Sequence, residues 1–202
     1  MIVLGLTGSI GMGKSATAAM FREAGVPVHD ADAEVARLYG PGGAAVEAIG
    51  RAFPGCTGPE GVDREALRKA VIGDAEALAR LEAIVHPLTA RATAAFLAGQ
   101  REAGARLVVL DVPLLFETGG DRACDLTLLV SAPAEVQRAR VLARPGMTPE
   151  RLDAILARQL PDAKKRARAD FIVSTAHGFA FTRACVAAII ALLRDESPTP
   201  GA

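Results

Sequence analysis

The sequence predicts an α/β fold in which a five-stranded parallel sheet lies between two layers of helices. Three observations predict it. A glycine-rich loop, Gly8 to Ser15, separates a short apolar run from a helical one. Short apolar runs then alternate with helical stretches along the chain, the pattern of parallel strands joined by crossover helices. Half of the 202 residues are hydrophobic but only 4% are aromatic, so Ala, Val, Leu and Ile must build the core of one domain with an inserted piece.

The elements follow in order. Ile2–Thr7 reads as a buried strand and Ser15–Ala24 as a helix stopped by Gly25. Val26–His29, Leu107–Asp111, Leu126–Ser131 and Phe171–Ser174 supply four more strands. Between the second and third, Ala33 to Ala103 shows no strand signal, and Gly40-Pro41-Gly42-Gly43 and the loop Pro54 to Gly61 punctuate it. Such a region is too long for a simple crossover and is expected to form a helical substrate subdomain. Pro87 predicts one helix ending near Val85 and another starting at Pro87, where proline is tolerated. Pro133 opens a helix that Pro145-Gly146 breaks after Arg144. Thr148-Pro149-Glu150 predicts an N-cap with proline next, the helix running to Gln159, and Pro161 starts another. The last helix, Phe179 to Arg194, is apolar on most faces and should pack on the sheet. The expected division is a core of 1–32, 105–137 and 168–196, an acceptor-binding insertion over 33–104, a lid over 138–167 and a tail, 197–202.

Charge and cysteines narrow the class. Basic and acidic residues balance at 23 each, for a net charge of zero. Nine Lys and Arg between Gln137 and Arg168 face only Glu150, Asp153 and Asp162, which reads as a solvated helical face or a basic flap over phosphates. With no Trp and one Tyr there is little to stack on bases, so no nucleic-acid partner is expected. No uncharged apolar run reaches the roughly 18 residues of a membrane span. The chain opens on the loop-bearing strand, which a cleavable leader would remove, and Cys56, Cys124 and Cys185 form no C-x-x-C pair. A cytoplasmic protein without a disulfide framework or zinc site is expected, with no membrane partner and acting as a monomer.

The chemistry begins at Gly8-Ser9-Ile10-Gly11-Met12-Gly13-Lys14-Ser15, which fits G-x-x-x-x-G-K-[ST], the phosphate-binding P-loop. Gly8, Gly11 and Gly13 let the backbone N–H groups, that of Met12 included, close around phosphate oxygens, and the following helix adds its positive end. Lys14 can reach the β- and γ-phosphates, and the Ser15 hydroxyl can ligate Mg²⁺. The fold expected is therefore a P-loop NTPase-type three-layer sandwich. Neither the N-K-x-D nor the D-x-x-G signature of GTPases occurs, which turns the reading towards a small metabolite kinase. The second strand ends in His29-Asp30-Ala31-Asp32, where carboxylates can face the loop across the strand ends. One of the pair can cap the next helix and the other accept a proton; Asp30 suits the cap and Asp32 the base.

The chain resembles the dephospho-coenzyme A kinase family through a series of motifs in order. They are the P-loop led by Leu6-Thr7, Asp30-Ala31-Asp32 with Arg37, Val62-Asp63-Arg64 with Leu67, and Leu81-Glu82-Ala83-Ile84-Val85-His86-Pro87. Then come Asp111-Val112-Pro113-Leu114-Leu115-Phe116-Glu117, Gln137-x-x-Arg140-x-x-x-Arg144, and Gln159-Leu160-Pro161 followed by Lys165 and Asp170. The resemblance implies transfer of the ATP γ-phosphoryl group to the ribose 3′-hydroxyl of dephospho-coenzyme A. It implies Asp32 as catalytic base with Lys14, and an acceptor site from Thr7, His86 and the Pro113–Glu117 loop with Leu114, Leu115 and Glu117. Where relatives carry threonine after Ser15 this chain has Ala16, which keeps its backbone donor to the nucleotide.

Several of these residues carry two readings. His86 can brace a helix break or line the cleft, and Leu114, Leu115 and Phe116 can pack or touch the acceptor. Asp111 can assist Mg²⁺ or be a buried, hydrogen-bonded carboxylate. Arg140 and Arg144 lie one turn apart and suit adenine stacking or phosphate clamping, though only one need act. The rival functions are another small P-loop kinase acting on a nucleotide or a shikimate-like alcohol, and an ATP-dependent switch.

Overall fold

The computed structural model describes residues 1–195. It divides into two compact units, Met1–His29 with the chain from Gln100 onward, and Asp30–Gly99. The expected tail and residue 196 lie outside the described residues. In chain order the elements are β1 (Ile2–Thr7), α1 (Lys14–Glu23), β2 (Val28–Asp30), α2 (Ala31–Tyr39), α3 (Val46–Ala52), β3 (Thr57–Gly58), β4 (Gly61–Val62) and α4 (Arg64–Val71). They continue with α5 (Ala75–Glu102), β5 (Leu107–Asp111), β6 (Leu126–Ser131), α6 (Ala134–Leu142), α7 (Pro149–Leu156), α8 (Asp162–Arg166), β7 (Phe171–Ser174) and α9 (Gly178–Asp195).

The five-stranded sheet runs in the order β2-β5-β1-β6-β7. β1 is central, parallel to β5 with Leu4 opposite Val109 and to β6 with Leu6 opposite Leu128. β6 in turn runs parallel to β7. Side chains alternate between faces along each strand. Leu4 and Leu6, both fully buried, share one core with Phe21 of α1 and with Val186, Ile190 and Leu193 of α9. Burying each such leucine stabilises the fold by about 1.5–3 kcal/mol. On the alternate face Val3, Val108 and Leu129 are buried as well, so the sheet is apolar on both sides as a parallel sheet requires. At Gly5 a Cβ would lie 2.7 Å from Cys124 Sγ and 2.8 Å from Leu115 Cδ2, so the loop after β5 packs directly on the sheet.

The 30–99 unit has its own core, including Leu38, Ile49, Phe53, Val62, Leu67 and Val85. Asp30 caps α2 by accepting the Ala33 N–H at 3.0 Å, and Asp63 caps α4 by accepting from Glu65 and Ala66. Two expectations fail in this region. β3 and β4 pair as an antiparallel hairpin where no strand was expected, because Pro59 and Glu60 form the turn between two-residue strands too short to show alternation. The predicted break at Pro87 is absent, and α5 continues through it. Ala77 and Val85 are buried, and Leu81, Ile84 and Leu88 pack beside them, so apolar contacts hold the helix on both sides of the proline. The Pro87 ring is exposed, and the Thr89 hydroxyl donates to the Val85 and His86 carbonyls. β2 also starts two residues later than expected, and α7, capped by Thr148 Oγ1 on the Arg151 N–H, ends at Leu156. Among the described residues no helix is long and apolar enough to cross a membrane.

Candidate active site

The loop Gly8–Ser15 joins β1 to α1 at the carboxyl end of the central strand. Its glycines are required by space. A Cβ at Gly8 would lie 2.5 Å from Val130 Cγ2 and 2.9 Å from the Val130 carbonyl oxygen, so the loop starts pressed against β6. Gly11 has φ +77°, and a Cβ there would lie 2.5 Å from Val141 Cγ2 of α6. Gly13 sits at the N-cap of α1, and no side chain caps the first turn. The first-turn amides of this ten-residue helix have no side-chain cap, an arrangement that fits a phosphate group. Ser15 is exposed on that turn and Ala16 beside it is half-buried.

Lys14 Nζ lies 2.7 Å from Asp111 Oδ1 at the end of β5, with side-chain exposures of 14% and 3%. Asp111 is a buried, hydrogen-bonded carboxylate. A hydroxyl at Ser15 and a carboxylate at Asp111 are hard oxygen donors of the kind magnesium takes. Among the described residues no group of three His, Cys, Asp or Glu side chains could hold a metal alone.

The rest of the loop is held by groups distant in the chain. Met12 is buried; its Sδ accepts the Ala132 N–H at 3.0 Å and its carbonyl accepts from Thr175 Oγ1 at 2.9 Å. Arg140 donates to Thr175 Oγ1 at 2.9 Å and to the Thr175 carbonyl at 2.7 Å, with a long contact of 3.5 Å to the Gly11 carbonyl. The Gln137 amide donates to the Ile10 carbonyl at 2.8 Å, and Gln159 Oε1 accepts the Ile10 N–H at 3.2 Å. A cavity of about 340 Å³ opens beside the loop, bounded by Gly11, Gly13, Ala16, Arg140, Arg144 and Phe179. Phe179, 72% exposed at its edge, is a residue the sequence reading missed; an aromatic opening a helix just after the last strand was the available signal.

The loop after β5 brings Thr7 and Glu117 into the same unit as Lys14. Thr7 is fully buried and its hydroxyl donates to the Pro113 carbonyl at 3.2 Å. Leu115 and Phe116 are buried, whereas Leu114 is 38% exposed. Glu117 Oε1 accepts the Leu160 N–H at 2.8 Å and lies 2.8 Å from Nζ of Lys165, which is fully buried. Glu117 Oε2 is buried and meets no donor among the described residues. Burial pushes the Glu117 carboxyl up, but the Lys165 ammonium and the Leu160 N–H outweigh it and hold the group below the ordinary carboxylate range. Asp32 and His86 belong to the 30–99 unit, and both are exposed, Asp32 on the first turn of α2 and His86 on α5.

Residues 2–180 match the family model described as dephospho-CoA kinase. The dephospho-CoA kinase of Novosphingobium aromaticivorans is 57% identical over 97% of this chain and 96% of its own. That of Mesorhizobium japonicum is 59% identical over 97% and 98%. Among solved structures, TT1252 from Thermus thermophilus superposes with a TM-score of 0.84 at 38% identity, covering 95% of this chain and 97% of that one. Matches of this extent run through the loop, the strand ends and the helical unit alike, and the chain belongs to the dephospho-CoA kinase family.

Proposed function

We propose that the protein transfers the γ-phosphoryl group of ATP to the ribose 3′-hydroxyl of dephospho-coenzyme A, giving coenzyme A and ADP. The observation that carries this reading is the uncapped N-terminus of α1, with Lys14 beside it, opening next to a cavity large enough for a nucleobase. Amides of the Gly8–Ala16 stretch hold the phosphates, except those of Ile10 and Met12, which donate to Gln159 Oε1 and to the Ser9 carbonyl, and Arg140 and Arg144 border the base. Lys14 lies near enough to exchange Asp111 for the β- and γ-phosphates. Ser15, with Asp111 behind it, would hold Mg²⁺. A bound magnesium ion neutralises charge on the phosphates and fixes their orientation.

Phosphoryl transfer through a loose transition state needs positioning and charge stabilisation more than covalent chemistry. Lys14 and an arginine of the 138–167 lid supply positive charge at the transferring group. Asp32 orients the attacking hydroxyl and accepts its proton, a contribution of about 10²–10⁴-fold. Thr7, His86, Leu114, Leu115 and Glu117 are the acceptor-binding residues of this reading. In this reading the protein works in the cytoplasm as a monomer, with no nucleic-acid or membrane partner. ADP release measured with dephospho-coenzyme A, AMP and shikimate offered in parallel tests the reading. Stimulation by dephospho-coenzyme A alone is expected, and no stimulation by it overturns the assignment.

A further inference from the structure

Two neighbouring residues hold two different loops. The Gln159 side chain accepts the Ile10 N–H of the phosphate loop at 3.2 Å, and the next residue, Leu160, donates its own N–H to Glu117 of the loop after β5 at 2.8 Å. Consecutive Cα atoms are about 3.8 Å apart, so neither contact can shift far without the other. Both ends are anchored. The peptide unit that offers the Ile10 N–H to Gln159 has its own carbonyl, that of Ser9, held by the Met12 N–H at 3.1 Å, and Gln137 holds the next carbonyl, that of Ile10. At the other end Glu117 also meets the buried Lys165, and Arg168 donates to the Phe116 carbonyl while its guanidinium lies 4.7 Å from the Phe116 ring centroid. In a loop that turns its amides towards phosphate, Ile10 directs its amide to a side chain instead, and that side chain is the start of a bridge.

We propose that Gln159 is a positioning residue that couples the nucleotide loop to the acceptor loop. Through the Gln159-Leu160 step, phosphate groups settling against the P-loop order the segment Pro113–Asp121 before any acceptor arrives. The inference rests on the nucleotide site proposed above and gives that site a defined consequence elsewhere. Thr7 also joins the two regions through Pro113, from the end of β1 rather than from the loop apex where Ile10 lies.

Peptide-resolved hydrogen exchange on the full chain, with magnesium and a non-hydrolysable ATP analogue alone, tests the bridge. In the wild-type protein exchange should slow at both 7–15 and 113–121, the latter by about fivefold or more, the lower end of ordinary site-to-site coupling. In Q159M, which keeps side-chain length but loses the acceptor oxygen, 7–15 should still slow while 113–121 no longer responds. Q159E retains an oxygen for the Ile10 N–H and should restore the response. Equal slowing at 113–121 in Q159M and wild type, or none there in wild type while 7–15 slows, overturns the bridge. No slowing at 7–15 in wild type overturns the nucleotide site and the bridge together. Turnover of dephospho-coenzyme A decides the acceptor separately, since its absence rejects that substrate and leaves the exchange comparison standing.

Discussion

Three glycine-to-alanine substitutions separate backbone strain from steric contact at the phosphate loop. Gly25, after α1, has φ +71° and nothing within 4 Å of an added Cβ, so G25A carries strain alone. A left-handed L-residue costs about 1–2 kcal/mol. Gly8 is not among the glycines with positive φ, but its Cβ would press on Val130, including the backbone oxygen at 2.9 Å. Overpacking of this kind costs about 1–3 kcal/mol. Gly11 combines φ +77° with a Cβ 2.5 Å from Val141 Cγ2, a side chain with no exposure and little room to withdraw. G11A should therefore lose about 2–5 kcal/mol, near the sum of the other two. Relief would come by moving α6, which also carries Gln137 and Arg140, so the affinity for ATP should fall by tenfold or more, about 1.4 kcal/mol. Urea unfolding midpoints for the three variants, with nucleotide affinity by calorimetry, provide the measurements. If G11A is no less stable than G25A, the contact with α6 is not what makes Gly11 necessary and the reasoning fails.

D32N should bind ATP nearly as the wild type does yet lose about 10²–10⁴-fold in phosphoryl transfer, the usual range for a general base; unchanged turnover removes Asp32 from the mechanism. Glu117 has a folded pKa below its unfolded value of about 4.3, so its contribution to stability is present above that value and is lost as the pH falls through the folded one. The stability gap between wild type and E117Q should therefore be widest near neutrality and narrow on acidification, and a gap that stays constant from pH 7 to pH 3 refutes the pairing with Lys165. P87A supplies the N–H missing from the middle of α5 and should raise the unfolding free energy by about 1–3 kcal/mol. A lowered urea midpoint would contradict a helix that runs straight through that position.

What could be read from the chain was local. The P-loop is contiguous, and its flanking strand and helix announce themselves within two dozen residues, so Lys14 and Ser15 were found with their environment. The sheet followed for the same reason, since each strand is a short apolar run between helical stretches. Pro87 misled because its local rule is sound: proline does break an unsupported helix. The support comes from Leu81, Ile84 and Leu88 packing into a core that includes Leu38 of α2, Ile49 of α3 and Leu67 of α4, which periodicity around Pro87 does not reveal. Gln159 stands in a recognised motif, yet its role depends on Ile10, 149 residues away. Glu117 was expected to meet an acceptor, and the Lys165 that takes one of its oxygens is fully buried despite its place in a stretch read as a solvated basic face.

Arg140 and Arg144 show the same limit in its sharpest form. One turn apart on one helix face, they are equivalent to any argument from spacing. Three-dimensional context separates them. Arg140 is half-buried, and its guanidinium is taken up by Thr175, whose hydroxyl passes the connection to the Met12 carbonyl. Moving it to a phosphate would give up these contacts and loosen the loop that is meant to receive the phosphate. Arg144 borders the same cavity from an exposed position. Arg140 is thus suited to shaping the nucleotide loop, and Arg144 to reaching what the loop holds. A cation fixed in the scaffold and a cation at its mouth do different work, and burial rather than spacing tells them apart.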